Sequence, residues 1–209
     1  MHEAYDAATA LLAVDVQNDF ADPAGGLAVV GAEAILPVLN DEIAAARHGG
    51  AFVAYTQDWH PPTTPHFAKD GGTWPVHCVG GTWGAELHAG LVADAGPSVR
   101  KGTNGEDGYS GFTMRDPLTG ATVPTELDGL LRSRGIRRIV IGGLATDYCV
   151  RATVLDALAL GYETSVLVDA VRPVDLVPGD GERALAAMEA AGARLVRRSV
   201  EAAAPDGRT

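Results

Sequence analysis

Short apolar runs alternate with amphipathic segments along most of the chain. The apolar runs predict six strands, at residues 11–14, 51–56, 98–101, 137–142, 164–168 and 195–196. The segments between them predict helices over residues 32–47, 125–134, 146–160 and 178–191. Glycine follows several of these helices directly, as is common at a helix C-terminus. Strands and helices therefore alternate, apart from one long irregular stretch at residues 57–97.

The predicted strands are continuous apolar runs and lack the alternation of a half-exposed strand. Such runs are typical of parallel strands that helices cover on both faces. The pattern predicts an α/β fold with a doubly wound, mainly parallel six-stranded sheet in a Rossmann-like three-layer arrangement. We expect one domain over residues 1–209, since no repeat or linker divides it. Residues 57–97 form a loop insertion in this prediction, and loops of that length are usually functional.

Composition narrows the class of protein. The chain has 209 residues, of which 46% are hydrophobic, so it can bury a core without cross-links. Two cysteines are too few for a disulfide framework. A net charge of −11 argues against binding to nucleic acid. No apolar stretch is long enough to span a membrane and no secretory signal is present, so we expect a cytoplasmic protein without membrane partners.

Three reactive side chains fall where predicted strands end, the edge at which α/β sheets bind ligands. Cys149 follows Thr146, a predicted N-cap, by three residues, so the helix N-terminus should lower the thiol pKa. Asp15 follows four apolar residues and needs a partner if it is buried charged. Lys101 would be that partner and would stabilise a thiolate. Taken singly, Cys149 could equally be a packing residue and Lys101 a solvated one.

A second group of candidates lies at the start of the irregular stretch. Asp58 and His60 are two positions apart, so they point the same way on an extended segment, and His66 and His77 follow. One carboxylate and three imidazoles suit zinc, iron or manganese. The alternative is that these are ordinary loop histidines. The glycine patterns of dinucleotide-binding and P-loop proteins are absent.

Four blocks of sequence resemble the nicotinamidases, also called pyrazinamidases, of the isochorismatase-like cysteine hydrolases. The blocks are Val14-Asp15-Val16-Gln17-Asn18-Asp19-Phe20, Asp58-Trp59-His60 with Pro65-His66-Phe67, Trp74-Pro75-Val76-His77-Cys78-Val79-Gly80-Gly81-Thr82, and Gly143-Leu144-Ala145-Thr146-Asp147-Tyr148-Cys149-Val150. The resemblance extends from residue 11 to about residue 196. The first and fourth blocks are similar across the wider superfamily, whereas the second and third point to nicotinamidases.

The resemblance assigns a role to each matching position. It implies that Cys149 is the nucleophile of a catalytic triad with Asp15 and Lys101. It implies a cis peptide after Leu144 and an oxyanion hole formed by the amides of Ala145 and Cys149. The aromatic residues of the substrate pocket would be Phe20 and Trp74, and the ligands of one divalent metal ion would be Asp58, His60, His66 and His77.

The activity that the resemblance implies is hydrolysis of nicotinamide, and also of pyrazinamide, through a cysteine thioester. The products from nicotinamide are nicotinic acid and ammonia, which places the reaction in NAD salvage. Zinc is the first expectation for the metal, with iron or manganese as alternatives. A related cysteine hydrolase acting on an N-carbamoyl amine or maleamate is the alternative activity, and a non-catalytic binding protein is another. Formation of a homo-oligomer and the role of Cys78 stay open.

Overall fold

The computed structural model describes residues 4–197, so both ends of the predicted 1–209 domain lie outside the described residues. The strands are Thr9–Val14 (β1), Phe52–Asp58 (β2), Ser98–Lys101 (β3), Thr113–Arg115 (β4), Thr122–Pro124 (β5), Arg138–Leu144 (β6), Glu163–Arg172 (β7) and Arg194–Val196 (β8). The α-helices are Asn18–Ala21 (α1), Leu36–His48 (α2), Leu127–Arg132 (α3), Arg151–Ala159 (α4) and Asp180–Ala190 (α5).

Six strands form one parallel sheet in the order β3-β2-β1-β6-β7-β8. The chain builds outward from β1 to β3 on one side and from β6 to β8 on the other. The doubly wound parallel sheet is therefore confirmed. The order reverses between β1 and β6, the position where such sheets open a crevice for ligands.

Helices cover both faces of the sheet, which explains the continuous apolar strands. Every residue of β1 is buried. Alternate residues serve opposite faces: Leu11 joins the apolar cluster of Leu39 in α2, whereas Leu12 joins that of Val154 in α4 and Met188 in α5. Helix α3 contributes to the second cluster as well. The sheet is thus the middle of three layers.

Two predicted helices begin differently from the expectation. The segment predicted from residue 32 opens with a 3₁₀ turn over Ala32–Ile35 before α2. The segment predicted from residue 146 opens with a π-helical turn over Thr146–Val150 before α4. Its N-cap is Ala145, so the assignment of Thr146 as N-cap was wrong. The Thr146 hydroxyl is buried without a hydrogen-bond partner.

Strand β6 continues two residues beyond its predicted end, through a pair of glycines. Gly143 pairs with Val14 of β1, and its φ of 126° is one that glycine adopts readily. A Cβ at Gly143 would lie 2.0 Å from the Val14 carbonyl oxygen, so only glycine allows this approach. Local propensity alone would have ended the strand here. The antiparallel hairpin of β4 and β5 was also not predicted.

Candidate active site

Four neighbouring strands deliver the reactive side chains to one edge of the sheet. Lys101 is the last residue of β3 and Asp58 the last residue of β2. Asp15 follows β1, and Cys149 lies in the π-helical turn that follows β6. Because these strands are adjacent and parallel, their carboxyl ends form one row. The structure therefore brings together the residues that the strand ends predicted.

Asp15, Lys101 and Cys149 are in contact and buried. The Lys101 Nζ lies 2.7 Å from Asp15 Oδ2 and 3.9 Å from the Cys149 Sγ. The side chains of Asp15 and Lys101 have no exposed surface. A carboxylate oxygen of Asp15 lies within 4.8 Å of the Cys149 Sγ. The Thr56 hydroxyl donates a hydrogen bond to Asp15 Oδ1 at 2.6 Å, which helps to hold the carboxylate in place.

Lys101 also connects the trio of Asp15, Lys101 and Cys149 to the predicted metal ligands. Its ammonium group donates to Asp58 Oδ1 and to the carbonyl oxygen of Gly108. One buried cation therefore lies between two buried carboxylates, Asp15 and Asp58. Such an arrangement is stable only while the charges remain paired.

The charges shift the pKa values of these groups in different directions. Burial, partly offset by the charge of Lys101, raises the pKa of Asp15 to about 6. Burial acts the same way on Asp58, but the charge of Lys101 and contacts from His60 outweigh it and lower its pKa. Burial by itself lowers the pKa of Lys101, yet both carboxylates raise it well above its ordinary value. At neutral pH, Asp15 is therefore an ionised carboxylate that can accept a proton nearby.

The expectation of a lowered thiol pKa at Cys149 was wrong. Burial raises the pKa of the Cys149 thiol well above its ordinary value. The charge of Lys101 acts in the opposite direction, but the carboxylates of Asp15 and Asp58 add to the effect of burial. The helix terminus was visible in the sequence, whereas the depth of the pocket and the second carboxylate were not. The resting thiol is protonated, so its reaction requires a base.

The three predicted histidines converge. His60, His66 and His77 each offer a ring nitrogen, and these atoms lie within 4.8 Å of one another. Asp58 Oδ2 is 3.7 Å from His60 Nε2 and 3.9 Å from His77 Nε2. His77 Nδ1–H donates a hydrogen bond to the Pro75 carbonyl oxygen at 2.8 Å, which leaves Nε2 available. Asp58 thus lies beside two of the three clustered histidines.

The electrostatic state of the histidines suits a metal ion. Burial, followed by the charge of His60, lowers the pKa of His66 to about 3, and burial lowers the pKa of His77. Both are neutral at pH 7, which is the form that binds metal. Both ring nitrogens of His60 are buried without a hydrogen-bond partner, although buried polar atoms normally have one. These observations fit a divalent metal ion bound by the imidazoles.

A small pocket connects the thiol to this cluster. Its wall includes the predicted pair Phe20 and Trp74, together with Cys149, Ala145, Asp58, His66 and His77. The peptide between Leu144 and Ala145 is cis, as expected. A thiol, a carboxylate, imidazoles and aromatic rings therefore line one small cavity.

The chain's similarity to known proteins is consistent with this arrangement. The isochorismatase domain profile matches residues 9–199. The chain belongs to the isochorismatase family. It is 40% identical over 203 residues to the nicotinamidase of Escherichia coli (strain K12), covering 89% of this chain and 93% of that protein.

Two solved structures of the same fold are similar over most of their length. One is the pyrazinamidase of Pyrococcus horikoshii in complex with zinc, with a TM-score of 0.79, 39% identity, and coverage of 91% of this chain and 99% of the other. The second is PnC1 from L. infantum in complex with nicotinate, with a TM-score of 0.85, 36% identity, and coverage of 94% and 96%. The family resemblance predicted from the sequence blocks is confirmed.

Several pocket residues of this family member were not predicted. Tyr109 and Tyr148 line the cavity, and Tyr109 accepts a hydrogen bond from Trp74 Nε1 at 2.8 Å. Tyr148 meets Trp74 edge to face at 4.8 Å between ring centroids. Tyr148 stands next to Cys149 in the fourth block, a signal that could have identified it. Val174 carried no such signal, because it comes from the loop after β7.

A buried aspartate holds that loop against the π-helical turn that contains Cys149. Asp147 Oδ1 accepts the backbone N–H of Val174 and Oδ2 accepts that of Asp175, each at 2.9 Å. Asp175 in turn accepts the N–H of Gly181 in the first turn of α5 at 2.8 Å. The pocket wall at Val174 is therefore connected to the turn that carries Cys149.

None of the described helices has both the length and the apolar character needed to cross a membrane.

Proposed function

We propose that this chain is a metal-dependent nicotinamidase that hydrolyses nicotinamide to nicotinic acid and ammonia. The single observation that carries the proposal is the shared cavity. In it, a thiol with a paired carboxylate lies beside three imidazoles and a second carboxylate, across a gap lined by aromatic rings. Relatives that are 38–40% identical carry the names nicotinamidase or nicotinamidase/pyrazinamidase. Pyrazinamide presents a ring nitrogen at the same place and is proposed as a second substrate.

The first chemical step is attack by Cys149. Because the resting thiol is protonated, Asp15 accepts the S–H proton as the sulfur attacks the carboxamide carbon. A C–S bond forms, and the carbonyl oxygen becomes an oxyanion. We assign the amides of Ala145 and Cys149 to hold that oxyanion, an interaction worth about 3–4 kcal/mol per donor in other acyl-transfer enzymes. The charge of Lys101 stabilises the sulfur and keeps Asp15 in place.

The later steps return each group to its starting state. Asp15 gives its proton to the leaving nitrogen, the C–N bond breaks, and ammonia departs. Water then attacks the thioester while Asp15 accepts a proton from it. The C–S bond breaks, nicotinic acid leaves, and the thiol is protonated again. Nicotinic acid formed this way can enter NAD salvage.

The residues proposed to hold the metal are Asp58, His60, His66 and His77. A divalent ion held by them would supply a fixed positive charge facing the ring nitrogen of the substrate. Zinc is the first candidate, and iron and manganese also accept this mixture of imidazole and carboxylate. A hydrolase for an N-carbamoyl amine or maleamate would need the trio but not this histidine set.

The proposal is tested by ammonia release from nicotinamide. Purified protein should lose activity when a chelator removes its metal and recover when zinc is returned. Cys149→Ala should abolish turnover, whereas Cys78→Ser, a change at the second buried cysteine, should preserve it. Absence of ammonia release from reduced, zinc-loaded protein would reject nicotinamide as the substrate. Activity unchanged by chelation would reject the metal dependence.

A further inference from the structure

The segment between Asp15 and Phe20 contains buried polar side chains that the mechanism above does not use. Gln17 has no exposed surface, and Asn18 is 5% exposed. Asp19 lies beside them in α1. Polar side chains at such depth are expected to be held by specific partners. Gln17 and Asp19 have partners on the two chain segments that carry the candidate metal ligands Asp58 and His77, whereas Asn18 donates to the Trp83 carbonyl oxygen at 2.7 Å.

Gln17 binds the backbone of Asp58 on both sides. Its Nε2 donates to the Asp58 carbonyl oxygen at 2.7 Å, and its Oε1 accepts the Asp58 N–H at 2.8 Å. Strand β1 has already ended at Val14, opposite Thr56. The Gln17 side chain therefore supplies the hydrogen bonds that a continued strand would supply. The same Nε2 donates to the Ala85 carbonyl oxygen at 2.9 Å, which ties Asp58 to the irregular segment.

Asp19 fixes the segment of His77 in a similar way. Its Oδ2 accepts the backbone N–H of Cys78 at 2.6 Å, and its Oδ1 accepts that of Gly26 at 2.8 Å. Cys78 follows His77 directly and has a φ of 46°, a region unfavourable to residues with a Cβ. A Cβ at Gly84 would lie 2.0 Å from Asp19 Oδ2, so the carboxylate is tightly enclosed.

We propose that Gln17 and Asp19 are positioning residues for the metal centre, acting through Asp58 and His77. The inference rests on the proposed function only in requiring that the histidine cluster binds a metal. The first sequence block, residues 14–20, then has a second role. Asp15 serves the thiol, while two residues just beyond it hold two ligands from different parts of the chain. Hydrogen bonds to the surroundings of metal ligands commonly change metal affinity by about 10–100-fold.

The decisive variant is Asp19→Asn, which preserves shape but can accept only one of the two N–H groups. We expect its zinc dissociation constant, measured by competition with a chromophoric chelator, to rise about 10–100-fold. Gln17→Met removes the bonds to Asp58 and should weaken zinc binding in the same direction. Asp22→Asn is the matched control, because Asp22 accepts the N–H of Ala24 in the neighbouring turn and contacts neither ligand segment. It should stay within about twofold of wild type.

A second readout separates positioning from a general loss of stability. The visible absorption spectrum of the cobalt-substituted protein reports ligand geometry, so Asp19→Asn should shift its bands while Asp22→Asn should not. Unchanged zinc affinity and cobalt spectra in Asp19→Asn and Gln17→Met, with only the metal-free melting temperature lowered, would overturn the inference. If Asp19→Asn does not fold, the result for Gln17→Met decides. Wild-type protein that binds no zinc or cobalt would reject the metal centre itself, and the inference with it.

Discussion

The two halves of the site are held in place by different kinds of structure. Asp15 and Lys101 stand at the ends of paired strands, where the sheet sets their separation. His60, His66 and His77 come from an irregular segment between β2 and β3. That segment is held by isolated contacts, such as the single bridge between His60 and Val79. The strand-end half of the cavity is therefore rigid, whereas the histidine half is held by individual hydrogen bonds.

The difference has consequences for stability and metal binding. Strand ends within a buried sheet move only when the sheet opens, which requires much of the total unfolding free energy. Loop positions held by single hydrogen bonds open at lower cost, and a bound metal adds to their stability. We therefore expect damage to the trio to affect both folding and chemistry. Damage to the histidine set should affect metal binding more than folding.

Lys101→Met should give the largest effect. It removes the cation between two buried carboxylates, which typically costs about 3–5 kcal/mol of unfolding free energy. Ammonia release should fall by at least about a thousandfold, because the sulfur and Asp15 both lose their partner. Urea unfolding and steady-state kinetics measure the two effects. Arg100→Met, at an exposed neighbour that stacks on Trp59, is the control. A stable, active Lys101→Met protein would contradict the expectation that damage to the trio affects both folding and chemistry.

His60→Ala should separate metal binding from folding. Both ring nitrogens of His60 lack hydrogen-bond partners, so their removal leaves no donor or acceptor without a partner. We expect the zinc dissociation constant to rise at least about a hundredfold. The metal-free melting temperature should change little compared with the loss caused by Lys101→Met. His88→Ala should leave zinc affinity unchanged. A large loss of metal-free stability in His60→Ala would show that the histidine half is not separable.

The pH dependence of activity tests the role of Asp15 in the trio. Because the pKa of Asp15 is raised to about 6, the carboxylate takes up a proton as the pH falls through that value. The base form is the active one, so kcat/KM should fall roughly tenfold between pH 7 and pH 5. Zinc content measured at each pH separates this effect from metal loss. A flat profile in fully loaded protein would rule out Asp15 as the base.

Asp147→Asn should give the smallest effect. The asparagine can accept only one of the two N–H groups of Val174 and Asp175, so the pocket wall should loosen while the trio stays in place. We expect KM for nicotinamide to rise roughly three- to tenfold, about 1 kcal/mol, with kcat nearly unchanged. Asp180→Asn, at the partly exposed start of α5, is the control. An equal loss in kcat would mean that Asp147 also positions Cys149.

The local hydrophobic pattern was sufficient to predict the sheet, but not the β4–β5 hairpin or the extension of β6. Continuous apolar runs predict buried parallel strands because burial on both faces removes the need for alternation. The β4–β5 hairpin escaped prediction because its residues are largely exposed and carry little pattern. The extension of β6 through Gly143 depends on close approach to Val14, a contact between distant parts of the chain.

The sequence by itself determined the chemical groups of the site and the edge of the sheet at which they lie. Asp15, Lys101 and Cys149 were predictable because parallel strands bring their carboxyl ends to one edge. Only the tertiary structure decided the electrostatic state. It buries the thiol beside two carboxylates, so the pKa of Cys149 rises where the helix terminus alone would lower it. It also showed that Gln17 and Asp19 contact the segments of Asp58 and His77, because contacts across 41 and 59 positions leave no local pattern in the sequence.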